Sequence, residues 1–160
     1  MVSSKPWFMK LVISLIIPIL TGAIASFFTN AGVNTWYAVA NKPSFNPPNW
    51  IFAPVWTTLY VMMGIALYLV WKRTGPEPQR KTALWWFAIQ MFLNFWWSFI
   101  FFYAQQPGWA LVEIVVLWLA ILGTIISFRK ISTTAAWLLV PYLLWVSFAT
   151  VLNFYIWKLN

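Results

Sequence analysis

Side chains able to do acid–base or metal chemistry are almost absent from this chain. It contains no Cys and no His, and its acidic residues number two, Glu77 and Glu113. Thiolate chemistry, zinc sites and the Ser-His-Asp and Cys-His arrangements all need residues that are missing. Paired catalytic carboxylates would have to lie within about 10 Å of each other. Glu77 falls in a loop and Glu113 near the outer end of an apolar segment, and we expect the two on opposite sides of the membrane. The sequence therefore predicts neither a metal site nor an acid–base catalytic site.

The fourteen tryptophans are the outstanding chemical feature of the sequence. Nine lie near the ends of apolar segments or in loops, where an indole is typical of a membrane interface: Trp7, Trp36, Trp50, Trp71, Trp85, Trp86, Trp109, Trp137 and Trp157. Five lie about two turns or more inside: Trp56, Trp96, Trp97, Trp118 and Trp145. An indole N–H at that depth has no water and needs a partner or a cavity. Each of the five fits packing as well as binding, but the set predicts an aromatic pocket in mid-membrane.

Two amides, Gln90 and Asn94, stand inside the third apolar segment, on one helix face with Phe87 and Trp97. Amides in hydrocarbon turn inward, either to bond across helices or to contact a ligand, and the sequence leaves both roles open. In the first segment Gly22, Ala25, Ser26 and Thr29 form a face of small residues: close helix packing is the favoured reading, with room for a flat ligand as the alternative.

Glu113 is the one charged residue inside an apolar segment, about one turn from its outer end. A carboxylate near an interface costs much less than one at the bilayer centre, where insertion scales give roughly 2.5–3.5 kcal/mol. A proton relay would need more ionisable neighbours than the segment has. We therefore expect Glu113 to pair with another side chain or to snorkel to the interface.

Five apolar segments are long enough to cross a bilayer, which takes about 20 residues. They run approximately over 11–28, 50–71, 83–104, 109–128 and 135–157. Hydrophobic residues make up 62% of the chain, and the runs are continuous rather than alternating, which indicates helices and not a barrel. The predicted fold is an all-α integral membrane protein, one domain over residues 1–160 with five transmembrane helices.

The ten basic residues sort by loop, which makes the net charge of +8 a topology signal. One side of the predicted bundle carries Lys5, Lys10, Lys72, Arg73, Arg80, Lys81, Arg129 and Lys130, and the other carries Lys42 and Lys158. We expect a cytoplasmic N-terminus, an outer C-terminus, contact with anionic lipid heads and no nucleic-acid partner. The first segment is too long for a signal-peptide core, so we expect it to stay as a span.

The first loop, residues 29–49, is predicted to be an ordered flap over the outer mouth of the bundle. Residues 30–34 read as a turn and 35–40 as a short helix, after which Pro43, Pro47 and Pro48 hold the chain extended. Its aromatic residues make disorder unexpected. Asn49 is the expected cap of the second span, with Pro54 in the first turn of that helix.

The sequence resembles the TspO/MBR family, the tryptophan-rich sensory proteins related to the mitochondrial translocator protein, also called the peripheral benzodiazepine receptor. The resemblance is carried by Trp36-Tyr37, Lys42-Pro43-Ser-Phe-Asn-Pro47-Pro48, Pro54-Val-Trp56-Thr-Thr-Leu59-Tyr60, Met63-Gly64, Gln90, Asn94, Trp97, Phe101-Phe102, Gly108-Trp109-Ala110-Leu111-Val112-Glu113, Pro141-Tyr142-Leu-Leu-Trp145, Phe148 and Leu152-Asn153. It covers nearly the whole chain. The chain departs from the family at Ala40, where Leu is common, and at Phe45, where Trp is frequent.

The resemblance implies a five-helix bundle that binds protoporphyrin IX and benzodiazepine-site drugs beneath the first loop, without a covalent cofactor. It also implies a bacterial inner-membrane location, a homodimer, and light-dependent porphyrin breakdown for which Trp56 and Trp145 are the candidate residues. The candidate ligand contacts are Trp36, Tyr37, Phe45, Pro47, Trp50, Gly22, Ser26, Phe87, Gln90, Asn94, Trp109 and Ala149. The alternatives are a transporter or sensor of tetrapyrroles or lipids without chemical turnover, and a structural bundle with no cavity.

A cholesterol-contact pattern is matched near the C-terminus by Val151 or Leu152, together with Tyr155 and Lys158. The pattern is weak, because many helix ends with an aromatic belt and a basic anchor satisfy it. Animal members of the resembled family carry Arg where Lys158 stands here.

Overall fold

A computed structural model describes residues 6–160, and in this part of the chain every regular element is a helix. The longer helices are α1 (Pro6–Val33), α3 (Phe52–Trp71), α4 (Glu77–Ser98), α5 (Pro107–Arg129) and α7 (Val140–Leu159). The shorter ones are α2 (Trp36–Val39) and α6 (Thr133–Leu138), with a 3-10 turn at Asn49–Ile51 and a π-helical turn at Phe99–Tyr103. Lys5, which belongs to the predicted cytoplasmic charges, lies outside the described residues.

The five predicted spans are confirmed as helices long and apolar enough to cross a membrane. The fifth span is divided, since α6 ends at Leu138 and α7 begins at Val140, with Pro141 in its first turn. Proline supplies no backbone N–H, so the α-helical hydrogen-bond ladder cannot run unbroken through this point. The predicted cap is wrong: no side chain caps α3, and Asn49 instead opens the 3-10 turn that leads into it.

Close packing of α1 on α3 organises one side of the bundle. A methyl group on Gly64 would lie 2.9 Å from both the Ser14 carbonyl oxygen and the Leu15 Cα. The absence of a side chain at Gly64 therefore lets the two backbones meet, as small residues do between membrane helices. Lys10 lies over the Trp71 ring at 5.9 Å, so the N-terminal end of α1 adjoins the C-terminal end of α3.

The other side of the bundle is built on the antiparallel pair α4 and α5, which pack extensively and are joined by a very short link. So short a link makes the two helices antiparallel neighbours. Gln105 adopts a left-handed backbone conformation with φ 56°, which reverses the chain immediately after the π-helical turn. Pro107 then starts α5 at a position where its missing N–H costs nothing.

Candidate functional site in the outer half of the bundle

An aromatic wall lines the half of the bundle that lies under the first loop. It consists of Phe45, Phe52, Trp56, Tyr60, Tyr142, Trp145 and Phe148. Trp56 stacks on Tyr60 with 5.6 Å between ring centroids and meets Tyr142 edge-on at 6.3 Å. Trp145 lies one turn further along α7 and contacts Phe52 and Phe148. The two tryptophans singled out in the sequence thus belong to one continuous aromatic surface.

A buried polar network crosses the bundle behind this wall. The Tyr60 hydroxyl donates to Asn94 Oδ1 at 2.7 Å, and Asn94 Nδ2 donates to the Tyr142 hydroxyl at 2.8 Å. Tyr142 in turn donates to Gln90 Oε1 at 2.9 Å. The network ties α3, α4 and α7 together, so both predicted amides bond across helices. This is the first of the two roles that the sequence left open.

Most of the buried polar atoms without a hydrogen-bond partner lie on α4, α5 and α7. Among the described residues, Gln90 Nε2, Trp145 Nε1 and both Glu113 carboxyl oxygens are buried and unpaired, and so is Ser14 Oγ on α1, away from the site. Such groups are costly in a protein interior, by roughly 1–3 kcal/mol each. The structure therefore contradicts both expectations for Glu113: its oxygens neither pair with another side chain nor reach the interface.

The first loop is ordered over this site, as predicted, and is fixed at several points. The turn predicted over 30–34 is wrong for residues 30–33, because α1 continues to Val33. Trp36 Nε1 donates to the Phe102 carbonyl of the π-helical turn at 2.8 Å. The Tyr37 hydroxyl donates to Asn46 Oδ1 at 2.8 Å, and the Lys42 ammonium lies 4.7 Å from the Tyr37 ring centroid. Burial raises the pKa of Tyr37 to about 12, against which the hydrogen bond to Asn46 acts in the opposite direction.

The loop is also joined to the end of α7 by reciprocal amide hydrogen bonds, which we call the Asn41–Asn160 latch. The Asn41 backbone N–H donates to Asn160 Oδ1, and Asn160 Nδ2 donates to the Asn41 carbonyl, both at 2.9 Å. Phe45 adds apolar contact by packing on Phe148 and Tyr155. The flap is thus attached to the π-helical turn after α4 at one edge and to α7 at the other.

An outer rim groove of about 650 Å³ opens beside the flap. It is lined by Trp36, Gln105, Gln106, Pro107, Gly108, Trp109, Val112, Trp157 and Asn160. Gly108 lies directly against the Trp157 indole, where a methyl group would come within 2.9 Å of Nε1. Trp36 and Trp109, both predicted as ligand contacts, line this groove rather than the aromatic wall.

The structure brings together part of the predicted ligand set and separates the rest. Near the wall or the flap lie Trp36, Tyr37, Phe45, Pro47, Gly22, Gln90, Asn94 and Ala149. Gly22 packs against the Tyr60 ring, the close-packing role favoured for it. Phe87 is not at the site, because it stacks on Phe128 at the opposite end of α5. Ser26 and Trp50 are exposed, and the Ser26 hydroxyl bonds to the Ala23 carbonyl of its own helix.

The deep tryptophans divide in a similar way. Trp97 donates to Asn153 Oδ1 at 3.0 Å, and Trp118 donates to Ser147 Oγ at 2.8 Å, so both serve helix packing. Trp96 is exposed on the face of α4 that points away from the bundle interior. Only Trp56 and Trp145 of the five belong to the wall. The sterol pattern lies on one exposed surface only when its first member is Val151, because Val151, Tyr155 and Lys158 are exposed whereas Leu152 is buried.

Sequence reasoning missed two residues that join elements around the site, Asn153 and Asn160. Asn153 accepts from Trp97 and donates to the Pro107 carbonyl at 2.8 Å, joining three elements. Its place inside an apolar run was the available signal, the same one that drew attention to Gln90 and Asn94. Asn160 had no such signal, since an amide at a helix end is ordinary.

Comparison with known proteins places the whole arrangement in a family. Residues 14–158 match the model of the TspO/MBR family, which spans most of the described chain. The chain belongs to the TspO/MBR family. The resemblance seen in the first loop and in the apolar segments is thereby confirmed.

Curated TspO/MBR relatives come from several kinds of organism. The chain is 45% identical over 152 residues to the tryptophan-rich protein TspO of Archaeoglobus fulgidus, covering 95% of this chain and 97% of that one. It is 41% identical over 144 residues to the human translocator protein, covering 89% and 85%. It is 36% identical over 143 residues to the tryptophan-rich sensory protein of Cereibacter sphaeroides, covering 89% and 84%. The protein is therefore an integral membrane protein of this family over nearly its full length.

Proposed function

We propose that this TspO/MBR protein binds a tetrapyrrole, protoporphyrin IX, in the outer half of the bundle and promotes its light-dependent oxidative breakdown. The observation that carries the proposal is the aromatic wall, which contains both Trp56 and Trp145. The indole N–H of Trp145 is buried there and has no hydrogen-bond partner. A flat macrocycle stacks on aromatic rings, and a porphyrin carboxylate or ring substituent supplies acceptors for such a donor.

The chemistry of breakdown would come from the excited porphyrin and dioxygen, as is general for cofactor-like chromophores. The chain contributes orientation on the wall and two indoles as candidate electron donors, Trp56 and Trp145. Neither a metal nor an acid–base residue is needed for this role. The lack of His and Cys in the sequence suits a metal-free porphyrin, which requires no axial ligand.

The test is a titration of the purified protein with protoporphyrin IX in the dark, followed by illumination of the same sample. We expect saturable changes in Soret absorption and tryptophan fluorescence, then bleaching faster than that of free porphyrin in detergent. Trp56→Phe and Trp145→Phe should bind within a few fold of the parent and lose the accelerated bleaching. Trp96→Phe is the matched control, since Trp96 is a deep but outward-facing indole. Bleaching that is unchanged in both variants would leave binding alone.

A second candidate function is transport or sensing of tetrapyrroles or lipids without turnover. It is favoured by the way the flap is held, through hydrogen bonds at Trp36, Asn41 and Tyr37 that can break and re-form without unfolding a helix. Uptake of porphyrin into sealed vesicles, compared with empty liposomes, tests it. Binding without bleaching but with uptake would favour this function over breakdown.

The remaining proposals concern setting. We place the protein in a bacterial cell membrane with its N-terminus in the cytoplasm, on the strength of the unequal charge distribution between the two ends of the bundle. Benzodiazepine-site drugs are proposed as competing ligands of the same wall, and a homodimer as the assembly. The orientation is checked by placing single Cys residues in the loops and measuring their reaction with membrane-impermeant and membrane-permeant thiol reagents in intact cells. Because the chain has no native Cys, only the introduced residue reacts.

A further inference from the structure

The Glu113 carboxyl is the most unusual polar group in the described part of the molecule. It lies in the seventh position of α5, roughly 9 Å along the helix from its outer end. The side chain is part-exposed on the flank of the helix, yet both carboxyl oxygens are buried and accept no hydrogen bond. An ionised carboxylate in that position would have lost its water without gaining a donor or a cation, which proteins avoid.

The elements packed against α5 provide little to stabilise a negative charge there. One ionisable group of the interior, the Tyr142 hydroxyl of α7, lies within electrostatic range of Glu113, and it already donates to Gln90. The other ionisable groups of the neighbouring elements stand at their ends: Glu77, Arg80 and Lys81 in the first turns of α4, Tyr103 in the π-helical turn, and Tyr155 and Lys158 late in α7. The α6 segment carries none.

We infer that Glu113 is a proton-binding site inside the membrane, a neutral carboxylic acid that an apolar carbodiimide can modify and whose ionisation opposes the binding of an anionic ligand. Its neutrality follows from the surroundings, since a protonated carboxyl avoids the desolvation cost that a carboxylate would carry. The site adds a charge-selective element to a bundle that otherwise recognises its ligand by aromatic contact. This second part rests on the proposed tetrapyrrole function.

The effect on ligand follows from the charges. Protoporphyrin IX carries two carboxylates, and a negative Glu113 in the same low-dielectric interior would repel them. At an effective dielectric constant of about 20 and a separation of about 10 Å, the repulsion of one of these carboxylates corresponds to roughly tenfold in affinity. The dimethyl ester of the same porphyrin has no carboxylates and should not respond. A porphyrin that carries carboxylates is therefore bound most tightly while Glu113 is protonated.

Direct labelling tests the proton site without any porphyrin. Dicyclohexylcarbodiimide takes up the carboxylic proton on nitrogen while the carboxyl oxygen bonds to its central carbon, and the adduct rearranges to a stable acylurea with no group lost. In protein in bilayers at about pH 7 we expect the label on Glu113, found by peptide mass spectrometry, and about tenfold slower labelling at about pH 9.5. Glu77, in the first turn of α4 at the surface, is the internal control, and it should react with a water-soluble carbodiimide instead.

Binding tests the charge effect. Affinity for protoporphyrin IX should fall about tenfold between about pH 7 and pH 9.5 in the parent protein, whereas affinity for the dimethyl ester should stay level. Glu113→Gln, which cannot ionise, should keep the affinity measured at pH 7 throughout. Glu77→Gln should behave as the parent does.

The two proposals fail in different ways. Labelling of Glu113 without porphyrin binding at any pH would remove the proposed function and leave the proton site standing. An unlabelled Glu113, together with an equal pH response of the parent and Glu113→Gln, would overturn the proton site. If Glu113→Gln does not fold, the labelling and its pH dependence in the parent protein decide the matter alone.

Discussion

The two halves of the bundle are built differently. In the half away from the first loop, Phe87 stacks on Phe128 at 5.9 Å and Gly64 lets α1 approach α3 backbone to backbone. In the half under the first loop, the interior carries hydroxyls, amides, indoles and a carboxyl, several of them without partners, whereas the other half has one such atom among the described residues, Ser14 Oγ. Buried unpaired groups cost stability, so a fold keeps them where binding or chemistry uses them. The contrast assigns stability chiefly to one half and ligand recognition to the other, and each prediction below tests that assignment.

The largest effect is expected from filling the backbone contact between α1 and α3 in the half away from the first loop. Gly64→Leu would drive a side chain into the Ser14 and Leu15 backbone of α1, which cannot yield as a flexible side-chain tip would. We expect a loss of about 3 kcal/mol or more in the free energy of unfolding, and a lower thermal midpoint in detergent. Gly75→Leu is the matched control, because nothing lies within 4 Å of a methyl group at that position.

The contrast would be broken if Gly64→Leu abolished porphyrin binding below its unfolding temperature. The affinity of the fraction that remains folded is the quantity to compare, since loss of folded protein alone lowers the binding capacity but not the affinity. An unchanged affinity supports the division of labour between the halves.

A smaller loss is expected from opening the polar network at its centre. Tyr142→Phe removes the hydroxyl that accepts from Asn94 and donates to Gln90, leaving both amides short of a partner inside the bundle. We expect about 2 kcal/mol of destabilisation together with a changed porphyrin Soret position. Tyr68→Phe, on α3 near the opposite end of the bundle, serves as the comparison. A stability loss without any spectral change would make the network purely structural.

The sequence indicated most of the fold and only part of the site. Long apolar runs and the prolines of the first loop predict the spans and the flap, because those features act locally or through the lipid solvent. The break before α7 and the π-helical turn were not predicted, since they depend on how neighbouring helices pack. Amide types marked Gln90 and Asn94, but no local pattern could show that Phe87 points to the other half or that Glu113 is left unpaired.

The latch gives a third, more local effect. Asn160→Ala removes the side chain that accepts from the Asn41 N–H and donates to the Asn41 carbonyl. Each of these exposed bonds has a net value of about 0.5 kcal/mol, so the pair contributes about 1 kcal/mol. We therefore expect roughly fivefold more frequent opening of the flap, with global stability changed by less than about 0.5 kcal/mol.

A nitroxide on Ser44→Cys reports this opening, because Ser44 is exposed on the flap and the chain has no native Cys. The label should become more mobile in Asn160→Ala and stay unchanged in Asn30→Ala, an exposed amide near the start of the loop. Equal mobility in all three proteins would show that the Trp36 and Phe45 contacts hold the flap without the latch.

The smallest effect is a response of the flap to alkaline pH through Tyr37. Burial raises the pKa of this phenol from 10.0 to about 12, so the attached flap favours the protonated form. A raised pKa in the attached state contributes stability that is complete below about pH 10 and is lost as pH rises toward 12. The Ser44→Cys nitroxide should therefore gain mobility across that window. Tyr37→Phe lacks the hydrogen bond to Asn46, so its flap should be looser than that of the parent at neutral pH. Because the variant has no phenol proton to lose, position 37 should add no further loosening between pH 10 and 12. A parent protein and a Tyr37→Phe variant that loosen in parallel above pH 10 would assign the transition to other groups and leave Tyr37 with a packing role.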